Sequence, residues 1–146
     1  MMTNEEVREL VSKVPFIAHL PHDLGEKLTD VFINIGAIRR VAEGQLMTRE
    51  GSHGKNRGFI LLGGVVGVQK MDAPFTKCRP PELLGEVMQF NPKAMRTATL
   101  TAREECTVLR FEWNEFWNSL MSNLSEAEVA KVRETLEARA WEHFTA

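Results

Sequence analysis

No apolar run in this sequence approaches the roughly 20 residues that span a bilayer, so a membrane is not an expected partner. The opening stretch MMTNEEVREL is acidic and polar where a secretory signal is basic and then apolar, and no export signal is read there. Cysteine is scarce. Cys78 and Cys106 stand far apart with no Cys-x-x-Cys spacing, which disfavours a disulfide framework or a zinc motif. They are read as reduced, mostly buried thiols of a cytoplasmic protein. A basic excess is missing as well, since 18 Lys and Arg against 20 Asp and Glu give a formal net charge of −2. The broad positive footprint of a nucleic-acid binder is therefore lacking, and nucleic acid is not an expected partner.

Catalytic signatures are equally few. His19, His22, His53 and His143 form no His-x-His or His-x3-His pair, and no Cys or acidic pair completes a ligand set. Pro21 argues against one helix through His19 and His22, so all four read as turn and surface residues. No serine lies in Gly-x-Ser-x-Gly, and no Gly-x4-Gly-Lys is present. The glycines of GFILLGGVVG sit in a strand–turn–strand context and read as structural. A cupin-type metal enzyme would share a roll-like β architecture, but it needs clustered His and Glu ligands that this sequence lacks. The expectation is no enzymatic activity, no metal and no cofactor.

What is present is a chain of 146 residues, 43% hydrophobic, enough to bury one core. We expect a single domain over residues 1–146. Its first part, 1–36, reads as helices. Thr3 and Glu6 have capping-box spacing, and Val7, Leu10, Val11 and Val14 recur at helical intervals until Pro15. Leu24, Leu28, Val31 and Phe32 predict a second amphipathic helix stopped near Gly36. Residues 37–112 change character: short apolar segments punctuated by Gly and Pro predict brief strands of a sandwich or roll. ILLGGVVGV reads as a hairpin around Gly63 and Gly64. Helix returns over 113–146, first in WNEFWNSLM with Phe116 and Leu120 on one face. A second capping box at Ser125 and Glu128 then opens a helix striped by Val129, Val132, Leu136, Ala140 and Phe144. That stripe fits either packing on its own chain or a dimer seam.

The chemistry concentrates in LLGEVMQFNPKAMRTATLTA, residues 83–102. Gly85 frees the backbone for close approach to a ligand, and EVMQ can form one helical turn whose first N–H groups have no intrahelical partner. Such a start favours an anion. Arg96 can return as a planar fork to a phosphate, and Glu86 can accept from a ligand hydroxyl. Together they describe a site for a phosphate joined to a sugar. The plainer alternative is a Glu86–Arg96 salt bridge with NPKAM as an ordinary loop.

The surrounding sequence resembles the cyclic nucleotide-binding domain family, of the kind carried by the bacterial catabolite activator protein. VPFIAHLPHDLGEKL is similar to that family's entry, and in EGQLMTREGSHGKNRGFILLGGVVGV the residues Gly44, Gly51 and Gly63 fall at its glycine positions. Residues 83–99 resemble its phosphate-binding cassette, and ECTVLRFEWNEFWNSL is similar to its closing strand and helix. Met88 and Gln89 stand where the family places a small residue and then Leu, Leu84 replaces a common Phe, and Gly58 takes an often aromatic position.

The resemblance implies a mainly β fold with flanking helices (α+β). Its core would be an antiparallel β-roll, a double-stranded β-helix of jelly-roll type, with N-terminal helices and a C-terminal helix pair. It also implies roles. Gly85 and the N–H groups after it, including that of Val87, would bind the cyclic phosphate. Glu86 would take the ribose 2′-hydroxyl and Arg96 the exocyclic phosphate oxygens. The Thr97 hydroxyl would reach the phosphate or a guanine amino group, and Leu83 and Leu84 would line sugar and base. The expected ligand is cAMP or cGMP, bound without catalysis by a regulatory module that relays occupancy through its last helix to a protein partner or a second copy in a homodimer. The transcription factors of the family place a helix-turn-helix after that helix, and none is expected here. The alternative function is an interaction or dimerisation module that keeps the fold without nucleotide.

Overall fold

The structure, a computed structural model, describes residues 2–48, 56–70, 75–85 and 98–145, with side chains as far as residue 140. Helices α1 (Asn4–Ser12), α2 (Pro15–Ala18) and α3 (His22–Ile35) come first. Strands β1 (Ala37–Val41), β2 (Leu46–Thr48), β3 (Arg57–Gly63), β4 (Val66–Gln69), β5 (Thr76–Cys78), β6 (Glu82–Leu84), β7 (Thr99–Ala102) and β8 (Cys106–Glu112) follow. Helices α4 (Trp113–Asn123) and α5 (Glu126–Thr145) close the chain.

Several helix boundaries have a local cause. The Glu6 N–H donates to the Thr3 hydroxyl at 3.2 Å and the Thr3 N–H to the Glu6 carboxylate at 3.3 Å, completing the expected capping box. The first helix ends at Ser12, two residues earlier than the proline alone suggests. Val14 is extended, as a residue before proline prefers, and Pro15 opens α2 where its missing N–H costs nothing. Along α3, Leu24, Leu28, Val31 and Phe32 are buried on the predicted face. Gly36 ends it where a side chain would meet Leu109 at 2.3 Å, so the helix end lies directly on β8.

Among the described residues the strands form two antiparallel four-stranded sheets, ordered β1-β8-β3-β6 and β2-β7-β4-β5. The expected β-roll with flanking helices is the fold. The hairpin read at Gly63 and Gly64 is a correction: β3 pairs with β6 and β8, whereas β4 pairs with β5 and β7. The two glycines turn a corner from one sheet into the other. Gly64 has φ of +89°, and a Cβ there would sit 2.6 Å from the Glu105 carbonyl oxygen, so only glycine fits the bend.

The first sheet is covered on both faces, which explains why GFILL, residues 58–62, is continuously buried instead of alternating. Ile60 and Leu62 face the helices, in one core with Leu28, Phe32, Phe116 and Leu136. Phe59 and Leu61 face the second sheet, in another core with Val66, Leu84 and Leu100. Gly58 leaves room on the helical side: a Cβ would lie 2.4 Å from the Phe111 ring and 2.9 Å from Trp113 Nε1. Neighbouring aromatic rings therefore fill the place where the family often has an aromatic side chain.

As far as residue 140, the stripe of the last helix packs on its own chain. Val132, Leu136 and Ala140 are buried, the first two in the helical core. The second capping box also forms, with Ser125 N–H donating to Glu128 at 3.0 Å and Glu128 N–H to the Ser125 hydroxyl at 3.1 Å. Glu128 also receives Lys27 of α3 at 2.8 Å. These hydrogen bonds, Lys27 first, hold the Glu128 carboxyl below its ordinary value. A lowered folded pKa stabilises fully above the unfolded value and is lost as the pH falls through the folded one. Glu128→Gln keeps the capping geometry but not the charge. It is expected to lower Tm by about 1–2 °C at pH 7, with the gap to wild type closing in a melting series as the pH falls through the lowered carboxyl's titration.

Candidate functional site

Strand β6 delivers the chain to the site. It is an edge strand of the first sheet, and its register places Leu84 beside Phe59, Leu83 beside Ile60 and Glu82 beside Leu61. Pleating sends successive side chains to opposite faces. Leu84 therefore joins the core between the sheets, while Leu83 packs into the helical core. The resemblance implied one lining role for both leucines, but only Leu84 faces the inside of the roll. Gly85 follows with φ of +91°, a left-handed conformation that favours glycine. The backbone thus bends sharply as it leaves β6.

Glu86, Val87, Arg96 and Thr97 lie outside the described residues, as do Met88 and Gln89. The described ends of their segment are Gly85, after a strand of the first sheet, and Ala98, before a strand of the second. The segment therefore joins the two sheets. Its far end is fixed by Thr48, which is 8% exposed and donates its hydroxyl to the Ala98 carbonyl at 3.0 Å. Ala98 itself packs on the inter-sheet core. The described residues flanking the segment, Leu84 and Ala98, thus both pack on the apolar interior formed by Phe59, Leu61, Val108, Val66 and Leu100.

Cys106 lies in the same interior, fully buried, with Sγ 3.4 Å from the Val65 carbonyl and 3.3 Å from that of Glu104. Burial pushes its thiol up, so it behaves as a small apolar group rather than a nucleophile. Cys78 is half-buried, and the two cysteines form no disulfide with each other. Among the described residues no three His, Cys, Asp or Glu side chains gather as a metal set. None of the described helices is long and apolar enough to cross a membrane.

The last helix also reaches β6. Arg139 Nη2 of α5 donates to Glu82 Oε1, and that oxygen accepts the Leu83 N–H at 3.1 Å. Glu82 lies three positions before Gly85.

Residues 38–123 match the family model described as the cyclic nucleotide-binding domain. The chain belongs to the cyclic nucleotide-binding domain family. No curated protein matches it. Solved structures share the domain's fold. A protein described under a cyclic-GMP-dependent signalling pathway that regulates bacterial phytopathogenesis is 20% identical, covering 80% of this chain and 93% of that one, with a TM-score of 0.67. The N-terminal domain of a transcriptional regulator from Streptomyces coelicolor A3(2) is 23% identical, covering 93% and 92%, with a TM-score of 0.65. PKAR CBD2 bound to Sp-2Cl-cAMPS is 19% identical, covering 92% of each chain, with a TM-score of 0.63.

Within this cyclic nucleotide-binding domain, sequence reasoning overlooked Glu82, Arg139 and Thr48. Thr48 carried a weak signal, a polar residue ending an apolar strand. The Glu82–Arg139 pair carried none, since 57 residues separate its members.

Proposed function

We propose that this domain binds a cyclic nucleotide, cAMP or cGMP, without catalysis, beside Gly85 and against the inter-sheet core. The family match over residues 38–123 carries the reading, and the left-handed turn at Gly85 supports it. Gly85 and the Val87 N–H bind the cyclic phosphate, Arg96 pairs with its exocyclic oxygens and Thr97 adds a hydroxyl. Glu86 takes the ribose, and Leu84 supplies apolar contact while Leu83 fixes the strand from behind. Occupancy acts through differential contacts with α5, read by a protein partner or a second copy of the chain in the cytoplasm.

The reading is tested by melting the protein with and without millimolar cAMP, cGMP and a cyclic dinucleotide. At a hundredfold excess over Kd the ligand adds about 2.7 kcal/mol, and Tm is expected to rise by roughly 5–10 °C. The unusual Met88 and Gln89 favour a second reading, an interaction or dimerisation module without nucleotide. A flat response to all three ligands sinks the first reading in favour of the second.

A further inference from the structure

Helix α5 is tied to the molecule at two charged points as well as along its stripe. In its first turn Glu128 meets Lys27 of α3, and these side chains are 27% and 51% exposed. Farther along, about 16 Å at 1.5 Å per residue, Arg139 meets Glu82, and these are only 16% and 19% exposed. Water screens the first pair well and the second poorly, so the second is the stronger constraint. It is also the directional one. The apolar contacts of Val132, Leu136 and Ala140 fix which face of α5 is buried but specify sliding along its axis more weakly, because hydrophobic burial has no preferred direction. A guanidinium on a carboxylate has one.

The carboxylate is in turn bound to its own strand. Glu82 Oε1 takes the Leu83 N–H together with Arg139 Nη2, so α5 is linked to the backbone that runs into Gly85. Arg139 Nε is buried and has no acceptor among the described residues. An unmet donor raises the free energy of the docked state and keeps it releasable.

We infer that Glu82 and Arg139 are positioning residues that set where α5 rests on the β6 edge, so that motion at Gly85 and release of α5 are coupled in both directions. The ligand-driven direction of this coupling rests on the nucleotide-binding reading, whereas the link itself stands on the geometry.

Hydrogen exchange of the full chain tests it, with and without 1 mM cAMP or cGMP, in wild type, Glu82→Gln, Arg139→Gln, Arg139→Lys and the swap Glu82→Arg with Arg139→Glu. Without ligand, each Gln variant is expected to speed exchange about tenfold in both the distal half of α5 and the β6 amides, leaving α1 unchanged. Arg139→Lys falls between, and the swap restores part of the protection. Faster exchange in α5 alone, or in neither element, overturns the link. With ligand, the Gln variants are expected to bind yet lose the wild-type change in α5. An undiminished α5 response in variants that bind overturns the coupling and leaves binding intact. Absence of ligand binding by wild type overturns the nucleotide reading instead, and the ligand-free comparison still decides the link.

Discussion

Phe116→Ala is expected to lower stability by about 3–5 kcal/mol and Tm by roughly 10–15 °C. Phe116 is fully buried in α4, at the centre of an aromatic layer behind the first sheet. Its ring stacks on Phe32 of α3 at 5.1 Å and meets Trp113 edge-on at 5.3 Å. Trp117 lies 5.0 Å away, also edge-on, and Phe111 of β8 at 6.2 Å. One ring thus joins three elements, and its removal loses transfer free energy and leaves a cavity that stiff neighbouring rings fill poorly. Against a typical total of about 5–15 kcal/mol, this is a large fraction. Met121→Ala, at a site 74% exposed on the same helix, is the control and should change stability by less than about 0.5 kcal/mol. Urea melts measure both. A loss under about 1 kcal/mol at Phe116 would mean that the layer collapses around the gap, and the claim of a rigid junction would fail.

The helices around that layer were legible because their signals are local. Two capping boxes and the 3.6-residue spacing of Leu24, Leu28, Val31 and Phe32 need no knowledge of the rest of the chain. The strand block was legible from its punctuation, but its pairing was not. Gly63 and Gly64 suit a hairpin and a corner equally well, and the choice depends on β8 and β7, more than 30 residues downstream. The same limit separates Leu83 from Leu84. Both are apolar and adjacent, and only the pleat of a paired strand shows that they enter different cores. The bend at Gly85 was legible from a glycine standing directly before a charged residue. The tie from Glu82 to Arg139 was not, because a single Glu and a single Arg far apart carry no pattern until the fold brings them together.

Arg96→Leu is expected to weaken cyclic nucleotide binding at least about 100-fold while leaving the ligand-free Tm unchanged. A cyclic phosphate keeps one negative charge, and taking it out of water against the apolar interior is unfavourable unless donors replace the lost hydration. In the proposed site the N–H groups after Gly85 would replace part of it. Arg96 supplies the only full positive charge among the assigned contacts, in a planar fork matched to two oxygens. Removing one partner of such a pair typically costs about 3–5 kcal/mol, or roughly 10²–10⁴ in Kd. At a ligand concentration that adds about 2.7 kcal/mol to wild type, the variant would keep about 0.4 kcal/mol or less, and its thermal shift would vanish into the baseline. Arg96→Lys retains the charge without the fork and should fall between. Glu86→Gln, which weakens one hydroxyl contact, should cost less than Arg96→Leu. This order of losses separates a phosphate grip from the plainer Glu86–Arg96 salt bridge. If those two residues only pair with each other, both variants lower the ligand-free Tm by similar amounts, and neither changes the response to ligand. An Arg96→Leu variant that still answers cyclic nucleotide as wild type does would place the ligand outside residues 83–99.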